Sequence, residues 1–170
     1  MLDINRRKLD NRQFSQEAYT SLLSLRINLK ALAKESLIAS RRDHNPAYNP
    51  SEEEVQEKFL SYCKKSSALA QGLSTYISTW GLHRLSADAR KFSLGTASDT
   101  KYKGQVYSLF LERLRSLSGE KFVLWDNTNH PNSSEASLVN MPLRKYTALN
   151  HLAIKLANEW SFWATATLEE

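Results

Sequence analysis

The chain is poor in the residues that staple, break or catalyse. Its single cysteine, Cys63 among 170 residues, excludes an intrachain disulfide and leaves no thiolate cluster for zinc. Five glycines and four prolines are too few for an all-β fold with its many tight turns. No apolar run approaches the roughly 20 residues that a membrane-spanning helix needs. Met1-Leu-Asp-Ile-Asn-Arg-Arg-Lys8 is basic but has no apolar core behind it, so no secretory signal is read there and the expected location is the cytoplasm. Asn132-Ser-Ser matches a glycosylation acceptor, but without secretion the match carries no meaning.

Catalytic patterns are missing as well. The four histidines, His44, His83, His130 and His151, stand apart, and none has a partner at a spacing such as His-x-x-x-His or His-x-x-Glu. There is no Gly-x-Ser-x-Gly elbow and no glycine-rich phosphate loop, and Trp125-Asp126 lacks the repeat of a propeller. The expectation is therefore a protein without catalytic residues, metal or cofactor.

What the sequence does have is helical periodicity. The length suits one domain spanning 1–170, able to bury roughly 70% of its unfolded surface. From about Asp10 to Asp43, Ala18, Leu22, Leu25, Leu29 and Leu32 alternate four and three apart and keep one apolar seam. Asp43-His-Asn-Pro-Ala-Tyr-Asn-Pro50 breaks that helix. Ser51-Glu-Glu-Glu54 then reads as a capping box. Val55, Phe59, Tyr62, Ser66, Leu69, Leu73, Tyr76 and Trp80 follow as a second seam, predicting a helix that stops at Gly81. Gly72 within it is a candidate bend or close contact, and Cys63 is placed off the seam, where Lys64 and Lys65 would lower its pKa.

A short third helix is expected over 82–93, with Leu85, Ala89 and Phe92 inward. A polar loop over 95–104 precedes a fourth helix over 105–118 that buries Val106, Tyr107, Phe110, Leu114 and Leu117. Lys121-Phe-Val-Leu-Trp125 is apolar and unassigned, and 126–137 reads as a second surface loop. The last helix starts at Met141-Pro and sets Leu149, Leu152, Ala153, Leu156, Trp160 and Trp163 on its packing side, with Arg144, His151, Lys155 and Phe162 opposite. The expected fold is all-α, a single-domain bundle of about five helices, two of them long, with two extended polar loops.

The net charge of +5 is unevenly spread. Residues 1–45 hold nine Lys/Arg against five Asp/Glu, and 81–121 hold eight against four, whereas the other two stretches are mildly acidic. On the first helix, Arg12, Arg26, Lys30, Lys34 and Arg41 fall on one flank of the seam and Asp10, Glu17 and Glu35 on the other. Arg84, Arg90 and Lys91 are exposed on the third. Sorted cations suit a polyanion such as nucleic acid, although a merely solvated basic surface has the same composition. Lys101, Tyr102 and Lys103 add cations beside an aromatic that would stack bases. Phe162, with Ile154 on the same helix, is the candidate contact to a protein partner.

The order of elements resembles a known family, the small all-helical subunit of type III-B CRISPR RNA-guided effectors, the Cmr complex. The likeness rests on Arg12-Gln-Phe-Ser-Gln-Glu-Ala18, on Gly81-Leu82 after Ile77 and Trp80, on Tyr107-Ser-Leu-Phe-Leu-Glu-Arg-Leu114, and on Tyr146, Ala153 and Trp163-Ala164. Trp80-Gly-Leu stands where family members place Asn-Gly-Leu. The resemblance implies a non-catalytic subunit of antiviral defence, present in several copies. It would contact crRNA and target RNA through their backbones, the effector's backbone and large subunits, and copies of itself. From the residues alone, a helical adaptor that contacts only protein is the alternative. An enzyme with a dispersed site is the third.

Overall fold

The computed structural model describes residues 10–42, 44–122 and 137–169. Among them the regular elements are four α-helices and one 3-10 turn: α1 (Asn11–Arg41), α2 (Glu52–Leu94), the turn Ser98–Thr100, α3 (Lys101–Ser118) and α4 (Leu143–Leu168). The all-α class is as expected, and none of these helices is long and apolar enough to cross a membrane. The N-terminal segment, Trp125, His130, Asn132 and most of the expected loop over 126–137 lie outside the described residues.

Both long helices begin as their sequences dictate. Asp10 caps α1, accepting from the Arg12 N–H at 3.1 Å while the Gln13 side chain returns to the Asp10 N–H. Ser51 and Glu54 form the expected reciprocal box, with bonds of 3.2 and 2.9 Å. The expected α1 seam is buried throughout, and Phe14, Ala33 and two serines extend it. Each such aliphatic side chain contributes roughly 1.5–3 kcal/mol relative to an exposed one. Its serines keep their hydroxyls satisfied locally or across the core: Ser21 donates to the Glu17 carbonyl, and Ser36 accepts from Tyr62 at 3.0 Å.

The helix count differs from expectation at one residue. Gly81 has φ 78° and ψ 166°, a combination essentially confined to glycine, and helical backbone resumes directly after it. The second and third expected helices are thus two arms of one bent α2. Tyr76 and Phe92 would be about 24 Å apart on a straight helix, yet both rings pack on Tyr107, with centroids 6.0 and 6.2 Å away. The Tyr76 hydroxyl donates to Asp88 across the bend. Burial, reinforced by that carboxylate, pushes the Tyr76 phenol well above its usual range. Gly72, by contrast, sits in regular helix with open space around it, so neither the bend nor the close contact expected there occurs.

The arms order the remaining helices. Arg41 meets Glu54 and Ser36 meets Tyr62, so the first arm of α2 runs antiparallel to α1. Ser15 bonds Glu159 and Trp163, and Arg26 bonds Thr167, so α4 runs parallel to α1. The α2 helix packs most extensively on α4 and α3. One apolar cluster joins all four helices, with Trp160 and Phe110 edge to face at 5.3 Å near its centre.

Three further expectations are corrected. The loop expected over 95–104 already turns helical at Lys101. Gly104 is buried in that helix, where α3 crosses so closely that an added Cβ would lie 2.7 Å from Ser93 Oγ and 2.8 Å from its backbone nitrogen. Tyr102 is buried and stacks on Tyr62 at 5.6 Å. Trp80, expected on the second seam, is 51% exposed because the helix axis turns away from the core one residue later. Phe122, unassigned from sequence, is buried.

Gly81→Ala is expected to destabilise the protein by about 3 kcal/mol, because it forces a strained φ and drives a methyl into the Tyr146 hydroxyl. Gly72→Ala should instead stabilise by about 0.5–1 kcal/mol. Urea denaturation midpoints of the two variants would show the opposite signs.

Candidate nucleic-acid interface

The cations that share one flank of α1 in sequence have separate fates in the fold. Arg12 is committed to its own cap: its backbone N–H, and then its guanidinium 2.9 Å from Asp10, hold that carboxyl below the usual carboxylate range. The Arg26 guanidinium donates to the Thr167 carbonyl at 2.9 Å and lies 5.8 Å from the Phe59 ring centroid. It therefore satisfies one of the orphan carbonyls at the end of α4. Arg41 pairs with Glu54 at 3.2 Å and sits 4.6 Å over Tyr48, tying the interhelical loop to both helices. Lys30 and Lys34 remain exposed, but they line a cleft of about 640 Å³ whose lining also includes Asn49, Glu52, Glu53 and Gln56. Phosphate approaching those lysines would meet two carboxylates.

The second basic segment fares differently. Arg84, Arg90 and Lys91 are exposed on the second arm of α2. Lys91 and Lys103, from different helices, both reach the half-buried Phe92 ring, at 5.6 and 5.1 Å from its centroid. The close crossing at Gly104 makes this possible, because it sets the first turn of α3 directly against Phe92 and Ser93. Lys65, on the first arm of α2, lies 5.9 Å from the Tyr102 ring centroid. Arg84 stands 4.6 Å over the indole of Trp80. Two carboxylates lie nearby: Asp99 takes a 2.7 Å bond from Lys58, and Asp88 accepts from Tyr76. The arrangement is a basic edge built from α2's second arm and the beginning of α3, suited to holding phosphates in register.

Of the partner-contact candidates, Phe162 is 73% exposed and packs edge-on against Trp163 at 5.3 Å. Ile154 is half-buried against the core, so it supports α4 more than it presents a surface. Residues missed in sequence complete the apolar surface. Tyr19, Leu23 and Ile27 form an exposed row on α1, and Tyr19 meets Trp163 at 5.3 Å. Their i, i+4, i+8 spacing beside the main seam was the available signal.

The described histidines stay apart. His44 and His151 are exposed, and His83 Nδ1 is 2.8 Å from the Tyr146 hydroxyl beside Gly81. Among the described residues no group of three or more His, Cys, Asp or Glu could hold a metal ion. Cys63 is buried, contrary to the sequence reading, and burial pushes its thiol up to about 11 in place of the lowering expected from Lys64 and Lys65.

The folded protein is therefore expected to react with a thiol reagent at pH 8 about a hundredfold more slowly than the urea-unfolded chain. A raised thiol pKa also means that the folded state holds its proton after the unfolded state has lost it. This contribution to stability is intact below about pH 8.5 and is lost as pH rises towards 11. Stopped-flow labelling and urea titrations across that range check both.

The chain matches no family model, no curated protein and no solved structure, so the reading of this edge rests on its own residues.

Proposed function

We propose that this chain is a non-catalytic RNA-binding subunit of a larger assembly, and that it grips the RNA by its phosphate backbone. The observation that carries the reading is the convergence of Lys91 and Lys103 on Phe92, with Arg84 and Arg90 exposed on the same arm of α2. Cations presented from two rigid helices hold phosphates at set positions without reading bases. The finer proposal is the small subunit of a type III-B CRISPR (Cmr) effector in antiviral defence. In that role it would contact crRNA and target RNA, neighbouring copies, and the backbone and large subunits. The sequence resemblance supports that assignment, as does an exposed surface divided between a basic edge and an apolar row.

The apolar row favours a second reading, a helical adaptor whose contacts are to protein alone. Tyr19, Leu23, Ile27 and Phe162 present aromatic and aliphatic anchors of the kind that dominate binding energy at protein interfaces.

On the RNA reading, four phosphate contacts give single-stranded RNA affinity a log–log salt slope of about −2.8, and Lys91→Glu with Lys103→Glu makes it shallower by about 1.4. Fluorescence anisotropy at several salt concentrations measures this, and an unchanged slope would sink the assignment. Charge reversal at Lys30 and Lys34 is expected to have the smaller effect, because Glu52 and Glu53 line the same cleft. On the adaptor reading, the lysine reversals do nothing, while Ile27→Asp with Phe162→Asp abolishes co-purification with the larger assembly.

A further inference from the structure

We infer that the corner of α2 is a nucleobase-stacking site, with Trp80 as the platform and Arg84 as its phosphate-side clamp. The inference deepens the RNA reading above and rests on it.

Trp80 continues the spacing of Tyr62, Ser66, Leu69, Leu73 and Tyr76, so in a straight helix its indole would join the core. The Gly81 backbone removes it from the core and leaves the residue 51% exposed. Exposing so large an apolar ring is costly, roughly 25 cal/mol for each Å² left in water. The ring is nonetheless held in place, because Arg84 from the next arm lies 4.6 Å over its centroid. An indole covered on one face by a guanidinium keeps its other face for a planar aromatic partner. Its exposed neighbours along the chain are polar or cationic. Ser78, Thr79, His83 and Arg84 are exposed around it in sequence, and His83 is fixed by its 2.8 Å contact with Tyr146.

That setting separates Trp80 from the apolar row on α1 and α4. There, aliphatic and aromatic side chains adjoin one another, as a protein partner requires. Trp80 is one aromatic beside a cation, the combination with which single-stranded nucleic acids are held without sequence preference. Arg84 also joins the corner to the basic edge, since Arg90 and Lys91 follow it on the same arm. A strand whose phosphates track that edge would bring a base to the indole. The Asp88 carboxylate, one turn beyond Arg84, accepts from the Tyr76 hydroxyl.

The test uses the full chain with two fluorescent probes, a 12-nucleotide oligoadenylate and an inorganic polyphosphate that carries charge without bases. Trp80→Leu is expected to weaken oligoadenylate binding about tenfold and to leave polyphosphate binding unchanged. Trp80→Phe, which keeps a stacking face, should restore oligoadenylate affinity to within about twofold of the parent chain. Equal oligoadenylate affinity in Trp80→Leu and the parent overturns the stacking site while the backbone reading stands. Equal losses on both probes also overturn it, since Trp80 would then act only by holding Arg84. If the parent chain binds neither probe, the RNA reading itself falls and the stacking site with it.

Discussion

Most of the architecture depends on the backbone of Gly81. A φ of 78° with ψ near 166° ends one helical direction and begins another without an intervening loop. Every contact that spans the two arms follows from that turn. Tyr76 reaches Asp88, Tyr107 packs between Tyr76 and Phe92, and Tyr146 brings the start of α4 against the corner through His83. A side chain at 81 would collide with that same tyrosine, so glycine is required twice there, by conformation and by space. These contacts close the bundle at one end, while the Ser51 capping box and the Arg41–Glu54 pair close the other.

The bend also divides the surface. Trp80 leaves the core and Arg84 follows it, and the second arm carries its cations to the beginning of α3. Cations from two helices are brought together there, Lys91 and Lys103 at one ring. On α1 the fold works in the opposite direction. Its arginines neutralise a cap, a helix end and an acidic partner, so charge that looks available is already spent on structure. A charged side chain on a helix flank is free for a partner only if no helix end or carboxylate lies within its reach, and flank arithmetic contains neither.

Much of the fold was legible in advance because its determinants are local. Seam periodicity placed Leu22, Leu25, Leu29, Leu73, Leu156 and Trp160 in the core, and Asp10, Ser51 and Pro142 adjoin the helix starts that their types favour. The candidate site was legible only in part. Arg84, Arg90 and Lys91 are exposed as read, but Lys103 joins them through the Gly104 crossing, which no spacing rule contains. Tyr102 and Cys63 were misplaced for a related reason. The loop expected around Tyr102 is the first turn of a helix facing Tyr62, and Cys63 lies beside Tyr62 where a single narrow seam allowed one inward residue and a four-helix core encloses both.

By itself the sequence determined the helical class, the caps, the principal seams and the regional excess of positive charge, because each follows from residue type and short spacing. The tertiary structure alone decided which charges and aromatics remain for a partner. That depends on what each side chain meets across the bundle: a helix end for Arg26, a core tyrosine for Tyr102, a neighbouring helix for Lys103, and open solvent for Trp80 and Phe162. Such encounters join residues far apart in the chain, and helical periodicity carries no information about them.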